Sequence, residues 1–276
     1  MKKLFGITLV SAALLAGGAV QASPEADREA FANFFQKRFP STPADDFING
    51  VYSIDATSRE QWEQIEEFPP YELAVEAGQA LWETPFANGK SYTDCFGDDV
   101  TEVRGKYPMF DTERKEVVTL ELAINECREA NGEKPLKWKK GPIAELSSYL
   151  AYEGRGKPIN VEIPNADAEA AFNAGQALYY TRKGQLNMAC ATCHMYGSGQ
   201  KVRTEILSPS FGHTSGFPVY RSKWGEVGTL HRRLAGCIQS VRGYPPAAQS
   251  EELRNLEYFL AYTGNGLEVN GPSARK

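Results

Sequence analysis

The strongest constraint on the fold of this chain is an internal repeat. Two sequence words of the first half return in the second: EAGQALWE (76–83) as NAGQALYY (173–180), and SYLAYEGRG (148–156) as YFLAYTGNG (258–266). Between these words each half carries a cysteine, and Cys127 and Cys237 both lie 23 residues before the leucine of the LAY word. Because the intervals match without a gap, the two cysteines are equivalent positions in two tandem copies of one unit.

Each copy is predicted to be mainly helical. In the second copy, apolar residues recur at helical spacing in AFNAGQALYYTR, TLHRRLAGCIQSVR and SEELRNLEYFLAYTG, and the last segment stops at Gly264. A further helical stretch, PEADREAFANFFQKRFP, precedes the first copy. The sequence therefore predicts an N-terminal helical extension (23–70), a first copy (71–157), a polar, proline-containing linker and a second copy (168–276).

The N-terminus has the features of an export signal. Two lysines precede a short apolar run that ends in VQA (20–22), the small-x-small pattern of a signal-peptidase site. An uncleaved anchor is the alternative, but the run is shorter than the roughly 20 residues that cross a bilayer. We expect residues 1–22 to be removed as a signal peptide, the chain to be periplasmic, and no membrane attachment. With 30 basic and 35 acidic residues, nucleic acid is not an expected partner.

The second copy contains the motif CATCH (190–194). Two thiols at this spacing can form thioethers with haem vinyl groups, and the histidine that follows can bind the iron from the same side. A zinc or redox CxxC site is the alternative, but zinc needs further ligands, and the candidates are scattered along the sequence. The motif predicts one covalent haem c, held by Cys190 and Cys193 with His194 as the proximal ligand. Both copies are then expected to be cytochrome c-like domains.

The first copy has a degenerate form of this motif. With one residue of slippage, Tyr92 stands where the first thiol would be and Phe96 where the histidine would be, while Cys95 remains. This copy therefore cannot hold a typical haem c. Cys127, the equivalent of Cys237, is expected on the other side of the missing haem. Without a haem between them, Cys95 and Cys127 can approach each other, and an oxidising compartment favours a disulfide between them. Two buried free thiols are the alternative.

This assignment leaves Cys237 without a partner and places it opposite the proximal ligand. It is therefore a candidate distal iron ligand. Met188 and Met195 flank the CATCH motif and belong to its own side of the haem, whereas His213 lies in a glycine- and proline-containing loop and remains possible. His231 is six positions from Cys237, about 240° round a helix, so only one of the two can face the iron. The alternative for Cys237 is a small buried apolar side chain.

Arg233 precedes Cys237 by four residues and lies on the same face of a helix. An arginine there favours a thiolate and can hold an anion through paired hydrogen bonds. Solvated helix charge is the usual explanation of such a residue, and it suffices for Arg232. A thiolate, a haem and an anion-binding guanidinium together indicate oxidative sulfur chemistry.

CATCH, RRLAGC, the LAY endings and the duplicated halves resemble the SoxA family, the catalytic subunits of SoxAX cytochromes from thiosulfate-oxidising bacteria. The resemblance covers essentially the whole chain after the leader. It implies an L-cysteine S-thiosulfotransferase that couples thiosulfate to a cysteine of the carrier SoxY (in SoxYZ) and passes two electrons to haem. It implies that Cys237 is the distal ligand and a catalytic cysteine persulfide, and that Arg233 binds the substrate. Partnership with a SoxX-like cytochrome c also follows from the resemblance alone.

Tyr92 and Phe96 make the chain similar to the family members that hold a single haem. The alternative function is a periplasmic electron-transfer cytochrome without catalysis, which would ordinarily use methionine or histidine as the distal ligand. A module that holds sulfur on Cys237 without turnover is a third possibility.

Overall fold

The computed structural model describes residues 23–275, and the predicted signal peptide lies outside them. The α-helices of the described chain are α1 (Pro24–Arg38), α2 (Ala56–Glu66), α3 (Glu72–Glu83), α4 (Thr93–Phe96), α5 (Leu120–Ala130), α6 (Pro142–Glu153), α7 (Ala166–Tyr180), α8 (Leu230–Ser240) and α9 (Glu251–Thr263). Tighter turns occupy Asp45–Ser53, Val100–Glu102 and Arg104–Lys106, and one wide helical turn occupies Thr192–Tyr196. The prediction of a mainly α fold is confirmed.

The strands are short and form small sheets beside the helices. They are β1 (Met109–Asp111), β2 (Glu116–Val118), β3 (Lys201–Val202), β4 (Glu205–Ile206), β5 (Val219–Arg221), β6 (Glu226–Gly228) and β7 (Ser273–Arg275). β1–β2, β3–β4 and β5–β6 are antiparallel pairs, and β7 adds to β5 in parallel. The last strand thus packs beside β5 within the second copy.

Several helices begin or end at residues typical of helix caps. The Ser23 hydroxyl accepts a hydrogen bond from the Ala26 amide at 3.2 Å at the start of α1. Asn165 caps α7 in the same way, and α9 runs from Ser250 as N-cap to Gly264 as C-cap. Each of the three helical segments predicted in the second copy is present, because the periodic apolar face and the caps agree.

In each copy the first and last helices touch at a glycine. A Cβ atom built on Gly78 of α3 would lie 2.1 Å from the Glu145 carbonyl oxygen of α6. A Cβ atom on Gly175 of α7 would lie 2.0 Å from the Asn255 carbonyl oxygen of α9. Glu145 and Asn255 are 110 residues apart, as are the two equivalent cysteines. The GQAL word recurs because this close helix contact requires a glycine.

We expect Gly175→Ala to reduce the free energy of unfolding by about 1–3 kcal/mol, because its methyl group would force α7 away from α9. Gly236→Ala in α8 is the matched control. Its Cβ would meet nothing within 4 Å, so helix propensity should stabilise it by up to about 1 kcal/mol. Chemical denaturation compares the two, and equal stability would contradict the packing role of Gly175.

The described chain has two large buried cores and a smaller third one, and α1 of the N-terminal extension packs on the second. The first contains Trp82, Ile124, Leu146 and Leu150. The second contains Phe172, Leu256 and Phe259, and it takes in Phe31 and Phe35 of α1. The Phe31 ring centroid lies 5.8 Å from that of Phe259. The extension thus covers the copy that carries CATCH, although it precedes the other copy in sequence; the predicted domain boundaries stay predictions.

A buried polar cluster lies where the two copies meet. The Ser147 hydroxyl donates to Glu121 Oε1 at 3.1 Å, and His231 Nε2 lies 3.2 Å from Glu257 Oε2. Arg104 is buried beside them and donates to a backbone carbonyl of the second copy at 2.8 Å. Glu121 and His231 are 110 residues apart, as are Ser147 and Glu257. Equivalent positions of the duplicated unit therefore meet in one cluster.

Burial, reinforced by the neighbouring carboxylate of Glu257, raises the pKa of Glu121 above its ordinary value. Folding therefore favours the protonated form of Glu121. Its contribution to the free energy of unfolding is present at low pH and is lost as the pH rises through the folded pKa. We expect Glu121→Gln to gain stability relative to the native chain as the pH rises from about 4. Urea unfolding across this range measures the difference; the exposed Glu129→Gln on α5 is the control. A difference independent of pH would contradict the raised pKa.

Candidate functional site

The CATCH motif lies at the start of the wide turn Thr192–Tyr196. Thr192 Oγ1 accepts a hydrogen bond from the Ala189 amide at 3.0 Å, which fixes the start of this turn. Cys190 and Cys193 are partly buried and are not in a disulfide. Both thiols are therefore available for attachment to a prosthetic group.

His194 is oriented by its contact with the loop that follows the β3–β4 hairpin. Its Nδ1 lies 3.0 Å from the Ser208 carbonyl oxygen. Because a carbonyl oxygen only accepts, this contact places the ring proton on Nδ1 and leaves Nε2 free to bind a metal. Histidine ligands of metals typically have such a partner on the other nitrogen, so the residue fits the proximal role in a haem site.

Cys237 lies on α8 with its thiol within hydrogen-bonding reach of the His194 ring. Burial on its own would raise the pKa of this thiol. The neighbouring His194 ring and the positive charges of Arg233 and Arg221 outweigh burial, and together they lower the pKa to about 7. A thiol with such a pKa has substantial thiolate character at neutral pH, the form that binds metals and attacks sulfur.

Arg233 and Arg232 are neighbours with different surroundings. Arg232 lies 3.1 Å from Glu226 Oε1, and its guanidinium stands 4.2 Å from the Trp224 ring centroid. Within the described residues no carboxylate forms an ion pair with Arg233, and its positive charge helps to lower the pKa of Cys237. Arg232 is therefore engaged in surface contacts, whereas the charge of Arg233 acts on the Cys237 thiol.

Sequence reasoning missed two further arginines near this site. The β5–β7 pairing sets Arg275 directly beside Arg221. Burial, and then the charge of Arg233, lower the pKa of Arg221, so its guanidinium lies near that of Arg233. A pairing between strands about fifty residues apart has no local sequence signal, which explains why the pattern of charges alone did not reveal it.

The other histidines do not lie opposite His194. The His213 ring is 4.7 Å from the His194 ring, and its Nε2 lies 2.9 Å from the Ser208 hydroxyl, on the proximal side. Burial and the neighbouring His194 hold the pKa of His213 well below its ordinary value. His231 accepts a hydrogen bond from a backbone amide at 3.0 Å and belongs to the cluster between the copies. Neither histidine therefore competes with Cys237 for a position facing His194.

The degenerate motif of the first copy is filled by a disulfide and aromatic rings. Cys95 and Cys127 are joined, with their Cα atoms 6.0 Å apart, which is the pair that the repeat predicted. The Tyr92 ring stacks on Trp82 with centroids 5.3 Å apart, and Phe96 lies 5.7 Å from the same ring. The side chains that replaced the haem ligands thus form part of the core of this copy.

Comparison with known proteins places both copies in one family. The model of the SoxA/TsdA cytochrome c domain matches residues 77–159 and 174–269. The L-cysteine S-thiosulfotransferase subunit SoxA of Allochromatium vinosum is 55% identical over 98% of this chain and 96% of its own length. The subunit of the same name from Chlorobaculum tepidum is 55% identical over 93% of this chain and 89% of its own.

A solved structure gives the same fold. The crystal structure of SoxXA from P. pantotrophus superposes with a TM-score of 0.72 at 29% identity, covering 79% of this chain and 84% of that one. The similarity therefore extends over both copies.

Proposed function

Since the chain belongs to the SoxA/TsdA cytochrome c family, we propose that it is the catalytic subunit of an L-cysteine S-thiosulfotransferase. The reaction joins thiosulfate oxidatively to a cysteine of a carrier protein and passes two electrons to haem. The observation that carries this proposal is the approach of the Cys237 thiol to His194, with Arg233 one helical turn from that thiol.

One haem c is held in the second copy. Cys190 and Cys193 would provide the thioether links, and His194, through Nε2, and Cys237 would be the protein ligands of its iron. The donor set fits: the two thiols are free, and the His194 Nδ1 contact leaves the other nitrogen available. When bound, the haem supplies the acceptor for the electrons removed from sulfur.

The chain's own residues bind and orient the sulfur groups. The guanidinium of Arg233 holds the sulfonate oxygens of thiosulfate by paired hydrogen bonds, and the outer sulfur then points to Cys237. Cys237 carries a persulfide in the resting protein and assists formation of the new sulfur–sulfur bond. In the balanced reaction, thiosulfate and one carrier thiol give the carrier S-thiosulfonate, one proton and two electrons.

Two protein partners belong to this proposal, and the SoxXA structure supports the first of them. A SoxX-type cytochrome c subunit pairs with this chain, as SoxX does with SoxA in the P. pantotrophus complex, and the carrier is a SoxY-type protein. The reaction takes place in the periplasm. Within residues 23–275 no helix is both long enough and apolar enough to cross a bilayer.

Mass analysis of the protein purified without reductant from its native compartment tests this proposal. We expect one haem on the Cys190–Cys193 peptide and additional sulfur on Cys237 that a thiol reductant removes. Steady-state turnover of thiosulfate with the carrier and an electron acceptor completes the test. One haem with an unmodified Cys237 and no turnover would instead support the electron-transfer cytochrome.

A further inference from the structure

Ser208 contacts two histidines at once. Its carbonyl oxygen accepts from His194 Nδ1 at 3.0 Å, and its hydroxyl lies 2.9 Å from His213 Nε2. The same hydroxyl oxygen is 3.5 Å from His194 Nδ1. The ring of His213 is therefore linked to the proposed iron ligand through one side chain and also lies against it at 4.7 Å.

The loop that carries these groups is tied to the CATCH turn. The amide of Ser210 donates to the His194 carbonyl oxygen at 3.0 Å, and its hydroxyl does so at 3.2 Å. The amide of His213 in turn donates to the Ser210 carbonyl oxygen at 3.0 Å. Because backbone contacts fix the loop, the side chains of Ser208 and His213 have little freedom to turn away from His194.

The duplication shows that the fold does not require this histidine. Val103 lies 110 residues before His213, the separation of the two equivalent cysteines, and is 3% exposed in the core of the first copy. That copy also has Phe96 in place of the iron-binding histidine. A second histidine at this position therefore accompanies the iron ligand, while an apolar residue serves where the ligand is missing.

We propose that His213 is a positioning residue for the proximal ligand: through the Ser208 hydroxyl it sets the orientation and donor strength of His194. This inference rests on the proposed haem site. The His213 Nε2 lone pair accepts the hydroxyl hydrogen, which turns the Ser208 oxygen toward the Nδ1 hydrogen of His194. Two acceptor oxygens then face that hydrogen, and they make the ring a stronger donor to iron. A stronger donor stabilises the ferric haem and lowers its reduction potential.

The experiment compares His213→Leu, Ser208→Ala and the double variant in the complete protein with its haem. We expect each single variant to raise the reduction potential and to alter the low-spin ferric EPR signal. The double variant should match the single ones, because both changes remove the same contact. His213→Gln offers an acceptor at nearly the same place and should restore most of the native potential. Thiosulfate turnover in His213→Leu should fall by about tenfold.

His231→Gln is the matched control, since this buried histidine of the same copy does not contact the site. It should leave the potential and the EPR signal native. A native potential in His213→Leu, or additive shifts in the double variant, would overturn the inference. Haem content measured by mass separates this from failure of the proposed function, which would appear as absence of haem from Cys190 and Cys193.

Discussion

Cys237→Ala retains its covalent haem and loses thiosulfate turnover by at least about 10³-fold. The expected loss is large because the same sulfur atom is proposed to carry the persulfide and to face the iron, so no other group can replace it. Haem attachment depends on Cys190 and Cys193 and is not affected. Intact mass and the absorption spectrum measure haem attachment, and steady-state turnover with the carrier measures activity, on one sample.

The duplication provides the control for this variant. Cys127 is the equivalent residue of the first copy and is bonded to Cys95. The double variant Cys95→Ala/Cys127→Ala should lose about 2–4 kcal/mol of stability and keep native turnover at temperatures where it is folded. If Cys237→Ala kept substantial turnover, its catalytic role would be refuted and the electron-transfer alternative would gain.

Arg233→Lys is expected to lower kcat/KM for thiosulfate by about 10–100-fold with little change in folding stability. Lysine keeps the positive charge but lacks the planar pair of donors that matches a sulfonate. Arg233 makes no ion pair with the described residues, so its replacement breaks no salt bridge among them. Steady-state kinetics with varied thiosulfate and a denaturation curve give both quantities.

Arg232→Lys is the matched control, because it changes the neighbouring residue in the same way. Arg232 is held by Glu226 and stands over Trp224, so its kinetics should stay native. Equal kinetic losses in both variants would show that general positive charge on α8, rather than the Arg233 fork, governs thiosulfate use.

Local sequence patterns predicted the parts of this molecule that local forces determine. The helices α7, α8 and α9 follow from apolar periodicity and capping residues, and CATCH is contiguous. The repeat also predicted one contact between distant residues. Because Cys127 is equivalent to Cys237, it was expected to face Cys95 and to form a disulfide with it. These predictions needed no knowledge of how distant segments pack.

Long-range packing determines the features that the sequence did not reveal. The chain end pairs with β5 and brings Arg275 beside Arg221. His213 was left open as a distal ligand, but loop contacts to the CATCH turn hold it on the proximal side. Ser208 was not singled out at all. Any residue could supply its carbonyl contact, and its hydroxyl meets His213 only through the packing of this loop.

The cluster between the two copies shows what fusion into one chain permits. In a homodimer with two-fold symmetry, equivalent positions must hold the same residue, so an acid at one site is mirrored by an acid at the other. Here the equivalent positions hold Glu121 and His231, and their partners are Ser147 and Glu257. Because the two halves are parts of one chain, equivalent positions can carry different residues. The asymmetry allows one half to specialise as scaffold while the other retains the chemistry.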